Sequence, residues 1–177
     1  MSDLFHEQMP EEYLYKCFLV MEKANWHTYQ ILTKRPERML LFSTKYGKIP
    51  AHIWVGTSVE LSIYKHRIDV LRQVDANVRF ISFEPLLGPI GKIDFTRISW
   101  AIVGGESGSQ HRPMRPEWVR EIRDQCIANS VAFFFKQWGD RTPNSGGRLL
   151  DGKVWDEYPK PSSYPPILAE VTHIKLS

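Results

Sequence analysis

Charged, hydroxyl and glycine residues follow the ends of five short apolar runs in this chain. The runs occupy residues 29–35, 52–58, 78–84, 100–106 and 132–137. In parallel sheets, ligand-binding groups lie just past the carboxyl ends of the strands. We therefore expect one shared small-molecule site there, without assigning a catalytic residue. The candidate substrate- or cofactor-binding residues are Lys34, Arg35, Thr57, Ser58, Glu60, Ser82, Glu84, Gly104, Gly105, Glu106, Ser107, Arg112, Lys136, Gln137 and Trp138.

Four of these candidates carry charges suited to polar ligands. Lys34 and Arg35 could bind a carboxylate or a phosphate, or they could form a solvated pair leading into the next helix. Glu60 and Glu84 could bind a ribose or an amino group, or act as acid or base. The alternative for each carboxylate is a structural ion pair with Lys34 or Arg35.

The later candidates combine a glycine loop with cationic and aromatic side chains. In Gly104-Gly-Glu-Ser-Gly108, missing side chains would let backbone amides approach an anionic ligand, although a plain tight turn has the same composition. Arg112 could close over a ligand or remain a surface charge. Trp138, close to Lys136 and Gln137, could stack on a ring, or it could pack under the C-terminal hairpin.

Strands and helices alternate along the chain to position these residues. Near-continuous apolar strands alternating with helices indicate an α/β fold with a parallel sheet covered on both faces. Five strands are too few for a closed eight-stranded barrel. The fold is therefore an open doubly wound sheet or part of a barrel, and we predict a partial, five-stranded parallel β/α barrel of TIM type. The predicted strands are 29–33, 52–57, 78–83, 100–104 and 131–136.

The chain divides into three parts by composition. We predict the partial barrel over residues 1–138 and a turn-rich extension over residues 139–158. That extension holds a hairpin in which Asp151-Gly152 supplies the turn. Residues 159–177 form a Pro-rich tail that we expect to be extended and peripheral.

Composition limits the function classes. The net charge of +3 permits an anionic ligand or nucleic acid but does not require one. There is no apolar stretch of transmembrane length and no signal-peptide pattern, so we expect no membrane partner. The two cysteines are expected to be reduced in a cytoplasmic protein, and they are too few for a zinc or iron–sulfur site. No histidine spacing predicts a metal.

Six motifs in order carry a family resemblance. They are Met1-Ser-Asp-Leu-Phe-His6, Leu32-Thr-Lys-Arg-Pro-Glu-Arg38, Trp54-Val-Gly-Thr-Ser-Val-Glu60, Glu84-Pro-Leu-Leu-Gly-Pro89, Val103-Gly-Gly-Glu-Ser-Gly108 and Phe133-Phe-Phe-Lys-Gln-Trp-Gly139. Together they resemble a phage-associated family of unassigned function that belongs to, or lies close to, the radical S-adenosylmethionine (SAM) barrels. The resemblance extends over residues 1–158, including Gly146–Gly152 and Trp155–Glu157.

The resemblance implies SAM and a [4Fe–4S] cluster for full-length relatives, which usually begin with a three-cysteine segment. That segment is absent here, so we expect an N-terminally truncated barrel that holds no cofactor and is inactive alone. Three missing strands and the five found would make eight. The alternative is a non-catalytic module for a small anion, nucleic acid or protein partner, with oligomerisation covering the open sheet edges. A third interpretation is a degraded gene product. Aromatic and basic residues are not interleaved as they are in proteins that bind single strands, so the sequence does not support nucleic acid as the partner.

Overall fold

The computed structural model describes residues 3–142 and 146–159. Each of the five main strands begins and ends within one residue of its predicted bounds. A 3-10 turn at Ser62–Tyr64 precedes the third helix. The elements are α1 (Glu11–Lys23), β1 (Tyr29–Thr33), α2 (Pro36–Tyr46), β2 (Ile53–Ser58), α3 (His66–Leu71), β3 (Arg79–Phe83), β4 (Trp100–Gly104), α4 (Pro116–Ala128), β5 (Ala132–Gln137), β6 (Leu149–Leu150) and β7 (Lys153–Val154).

The five strands β1 to β5 form one all-parallel sheet in chain order. Sequential parallel strands with right-handed crossovers place every connecting helix on the same face of the sheet. A doubly wound sheet would instead reverse its strand order part-way. The structure therefore confirms the predicted α/β class and has the arrangement of an unclosed barrel arc.

One face of this arc packs against the helices α1 to α4. Pro36 and Pro116 occupy the first turns of α2 and α4, where a missing backbone N–H costs nothing. Each long helix buries residues three or four positions apart, as an amphipathic stripe requires. The main core joins these stripes to alternate strand residues, among them Phe18, Met39, Phe42, Val55, Ile81, Val103, Val119, Ile122, Phe133 and Phe135.

The other strand residues form the opposite face of the sheet, here called the inner face. In the described residues no helix covers it, although apolar strands predict cover on both faces. Large side chains cover it instead: Trp54, Phe80 and Trp100 are buried against one another and against Phe134. Tyr158 packs over Trp100 with 5.1 Å between ring centroids.

The two outer edges of the sheet differ. On β5, the segment 155–157 runs antiparallel along the edge: the Phe135 amide donates to Trp155 and the Glu157 amide donates to Phe133. Within the described residues, no strand pairs with the outer edge of β1. The arc is thus capped on one side and open on the other.

The predicted hairpin forms from β6 and β7, with Asp151 and Gly152 in the positive-φ conformation of its turn. Residues 143–145 and 160–177, including nearly all of the predicted tail, lie outside the described residues. No helix within the described part of the chain is long and apolar enough to cross a membrane.

Candidate functional site

The carboxyl end of β1 is held by the N-terminal segment. The Asp3 carboxylate accepts hydrogen bonds from the Thr33 hydroxyl (2.9 Å), the Lys34 amide (3.2 Å) and the Arg35 guanidinium (3.1 Å). Burial alone would raise the pKa of Asp3, but these hydrogen bonds, with one from the Phe5 amide, hold it below its ordinary value. Arg35 therefore serves this turn, while the Lys34 side chain extends toward the next strand.

A carboxylate at the end of β2 lies between two cations. Glu60 forms ion pairs with Lys34 and with Arg67, the latter at 3.2 Å. The side chains of Glu60 and Arg67 are only 7% and 14% exposed. Burial alone would raise the pKa of Glu60, but the hydrogen bond from Lys34 and the charges of both cations lower it. Glu60 is therefore ionised at neutral pH and acts first as a structural anchor.

The end of β3 carries the second carboxylate. Glu84 accepts hydrogen bonds from the Lys136 ammonium at 2.7 Å and the Gln137 amide at 3.2 Å, so the structure connects β3 with β5 across Gly104 of β4. Glu84 is 25% exposed and Lys136 is 51% exposed. This pair is thus accessible to a ligand in a way that Glu60 is not.

The loop after β4 is closed by its own ion pair. The Arg112 guanidinium donates two hydrogen bonds to the Glu106 carboxylate, at 2.8 and 2.7 Å, and the Arg112 amide donates a third. Gly105 donates to the Gln137 carbonyl, and Ser107 bridges to Asp140. Arg112 therefore fixes the loop through Glu106 in this structure.

This loop pair gives a testable titration. The Arg112 hydrogen bonds lower the pKa of Glu106 to about 2 from an ordinary value of 4.5. Because Arg112 stabilises the charged carboxylate, Arg112→Gln should return the pKa of Glu106 toward 4.5. A carboxyl-carbon NMR titration measures it, with Arg115→Gln as the control. An unchanged low pKa in Arg112→Gln would show that the loop, not Arg112, stabilises the anion.

Two depressions lie along the inner face at this edge. One, of about 590 Å³, is lined by Asp3, His6, Lys34, Arg35 and Ser58 among others. The other, of about 340 Å³, is lined by Gln30, Leu32, Phe80, Ser82, Glu84, Trp100, Ile102, Phe134, Lys136 and Tyr158. Leu32 borders both, so the two depressions are neighbours, and together they are here called the inner-face groove.

The predicted residues divide by where the strands place them. Lys34, Arg35, Ser58, Ser82, Glu84 and Lys136 border the groove. The buried Thr57 hydroxyl donates to the Thr33 carbonyl instead. Trp138 packs on Phe135 and donates from its indole to the Leu149 carbonyl, so it lies under the hairpin. The loop residues Gly105, Glu106, Ser107 and Arg112 support the rim.

Sequence reasoning missed several residues of this site. Asp3 lies within the motif Met1–His6, but its partner Thr33 is 30 positions away, so the sequence did not indicate the contact. Arg67 lies in α3 and pairs with Glu60, a contact that no motif in the sequence indicates. Phe80, Trp100 and Phe134 were counted as ordinary strand residues, because alternation alone does not tell which face of a sheet stays open.

The comparison with known families decides the classification. The family model described as Protein of unknown function (DUF5131) matches residues 1–159. The chain belongs to this family. It matches no curated protein and no solved structure.

The cysteines of this DUF5131 chain do not fit an iron–sulfur cluster. Cys126 is buried in α4 on the helix-covered face, and burial raises the pKa of its thiol. Cys17 lies in α1, so neither thiol borders the groove. A [4Fe–4S] cluster takes about four thiolate ligands. Among residues 3–142 and 146–159, no group of three His, Cys, Asp or Glu side chains is arranged to hold a metal.

Proposed function

We propose that this chain is the substrate-binding arc of a phage-associated β/α barrel related to radical SAM enzymes, and that it binds a small molecule in the inner-face groove. The proposal rests on two parts of the groove that lie side by side. Polar side chains at the carboxyl ends of the strands, among them Glu84 and Lys136, form its rim, and the aromatic side chains of the inner face form its floor. Glu84 and Lys136 stand on strands separated by β4, yet they meet at 2.7 Å over a cluster of aromatic side chains. A concave apolar surface with a few convergent polar groups is typical of ligand sites.

Two further observations support the relation to barrels. Strands in sequential parallel order with helices on one face are the unit from which β/α barrels are built. The candidate groups also lie at the carboxyl edge, where enzymes of this architecture bind substrates. We assign no cluster chemistry to this chain, because its two thiols are set apart from the groove. The reductive cleavage of SAM implied by the resemblance would need ligands that these residues do not supply.

Filling the groove tests the proposal. Ile102 lines the cavity and is half-buried, so Ile102→Trp should occupy the space without placing a charge there. Saturation-transfer NMR would screen wild type and variant against carboxylates, amines, sugars, nucleotides and SAM. We expect at least one compound to bind wild type and to lose its signal with Ile102→Trp. Ile127→Trp, on an exposed α4 position, is the matched control.

A second candidate function rests on the open edge of β1. Leu32 is 36% exposed there, and the edge has no strand partner in the described residues. Such an edge can accept a strand from another chain. This protein-binding module would be favoured if Ile102→Trp changed no ligand signal while sedimentation showed self-association that Leu32→Lys abolishes. The groove proposal would then be wrong.

A further inference from the structure

We propose that the inner-face groove binds a nucleotide, with the base on the aromatic floor and the phosphate beside Lys136 and Arg148. This assignment of a ligand class rests on the proposed function of the groove. It is drawn from three features of the cavity that Glu84 and Lys136 border: its floor, its charge and its polar wall groups.

The floor suits a planar ring. Trp100 lies 5.7 Å from Phe80, 6.0 Å from Phe134 and 5.1 Å from Tyr158, measured between ring centroids. Four aromatic residues thus meet around one point of the inner face, and all four line the 340 Å³ cavity. Aromatic side chains bind nucleobases by stacking, at about 1–3 kcal/mol per base. Tyr158 is 55% exposed, so a ring can reach this wall from solvent.

The charge at the rim suits one anionic group. The Arg148 guanidinium lies 5.1 Å from the centre of the Phe134 ring, and Lys136 follows Phe134 by two positions on the inner side of β5. Both cations therefore lie near Phe134, and Glu84 is the carboxylate among the residues that line this cavity. An ammonium has three donors, so Lys136 can keep its bond to Glu84 and still donate to a phosphate oxygen.

Polar wall groups separate a nucleotide from a simple aromatic anion. Ser82 and Gln30 both line the cavity. The strand register places Ser82 between Phe80 and Glu84, and it places Gln30 on β1 level with Trp54, so either side chain could contact a ribose or a base edge. The Glu84 carboxylate is placed to accept from a ribose hydroxyl, as acidic residues do in nucleotide-binding folds. A phenyl phosphate would satisfy the floor and the cations but would make no hydrogen bond to Ser82, Gln30 or Glu84.

Calorimetry on the full chain tests the assignment with fragments of the ligand. The probes are the four ribonucleoside monophosphates, adenosine, ribose 5-phosphate, phenyl phosphate and a single-stranded oligonucleotide. We expect at least one monophosphate to bind about tenfold more tightly than any of the three partial ligands, since each of these lacks either stacking, phosphate or polar contacts. Binding by the oligonucleotide alone would identify nucleic acid as the source of the same base and phosphate.

Two variants with matched controls locate the site. Lys136→Gln should weaken nucleotide binding about tenfold, whereas Lys45→Gln, which removes a similarly exposed lysine paired with Glu11, should not. Phe134→Leu should weaken it similarly, unlike Tyr13→Leu on the exposed face of α1. If Phe134→Leu fails to fold by circular dichroism, the surface substitution Lys136→Gln still decides the question.

Failure of this inference differs from failure of the groove itself. The nucleotide assignment is wrong if phenyl phosphate or ribose 5-phosphate binds as tightly as any nucleotide. It is also wrong if Ile102→Trp abolishes the binding of a non-nucleotide ligand only. In both cases the groove remains a binding site. If nucleotides bind but Lys136→Gln and Phe134→Leu leave their affinity unchanged, the assignment is equally overturned. If Ile102→Trp affects no ligand, both proposals fall.

Discussion

Gly105→Ala is expected to destabilise the fold by more than about 4 kcal/mol, a large part of the roughly 5–15 kcal/mol by which most domains are stable. A methyl group at this position would lie 1.8 Å from the backbone oxygen of Trp138 and 2.4 Å from its carbonyl carbon. Both are main-chain atoms, so no side-chain rotation can relieve the clash. The strand ends of β4 and β5 would have to separate.

The loss should extend to the site, because Gly105 holds the two strand ends together. Its amide donates to the Gln137 carbonyl at 2.9 Å, and its carbonyl accepts from the Gln137 side chain at 3.3 Å. Gln137 in turn donates to Glu84. Separating β4 from β5 would therefore remove Glu84 from Lys136 as well.

Urea denaturation followed by circular dichroism measures the effect. Gly88→Ala is the matched control, because its added methyl group would meet only the flexible end of the Leu61 side chain at 3.1 Å. We expect Gly88→Ala to lower the free energy of unfolding by at most about 1 kcal/mol. A Gly105→Ala protein that unfolds at the wild-type urea concentration would show that the β4–β5 junction is loose.

The tightness of this junction was not readable from the chain. A pair of glycines after an apolar run predicts a turn, but the crowding that requires Gly105 comes from Trp138, which is 33 positions away in the sequence. The strands themselves were predictable, because buried parallel strands are continuous apolar runs with turn residues at each end. Their bounds follow from local composition, whereas the packing of one strand exit on another depends on the assembled sheet.

The face of each strand was a second limit of the sequence. Trp54, Phe80 and Trp100 alternate with Val55, Ile81 and Ala101, and both sets are apolar. Apolar residues on both sides predict a buried strand but do not indicate which side meets helices. Only the sequential strand order assigns Trp100 to the inner face. Sequence patterns therefore predicted the rim residues of the groove, and topology was needed to find its aromatic floor.

The sequence predicted that the carboxylates at the strand ends would form ion pairs, but it did not predict every partner. The expectation that Glu60 or Glu84 would pair with Lys34 or Arg35 is met by Glu60 and Lys34. Glu84 instead pairs with Lys136, 52 positions later, because β3 and β5 lie on either side of β4 and their ends converge over its glycine.

Glu60→Ala is expected to lower the free energy of unfolding by about 3 kcal/mol at pH 7, because it leaves the buried guanidinium of Arg67 without its carboxylate. Lys34 contributes less to this loss, since its side chain is 55% exposed and water can replace the carboxylate. Arg67 also donates to the Ser58 carbonyl, so the loss should disorder the end of β2 next to the groove. Glu7→Ala, which removes an 83% exposed partner of Arg35, should change stability little.

The pH dependence separates lost charge from lost packing. Glu60 has a lowered pKa in the folded chain, so its charge stabilises the fold above the ordinary value of 4.5 and this contribution disappears as pH falls through the folded pKa. Glu60→Gln keeps the side-chain shape without the charge. Its deficit relative to wild type, measured by urea denaturation, should be constant from pH 7 to pH 5 and should shrink below pH 4.5. A deficit that stays the same at lower pH would mean that Glu60 stabilises β2 by shape and hydrogen bonding, with no contribution from its charge on Arg67.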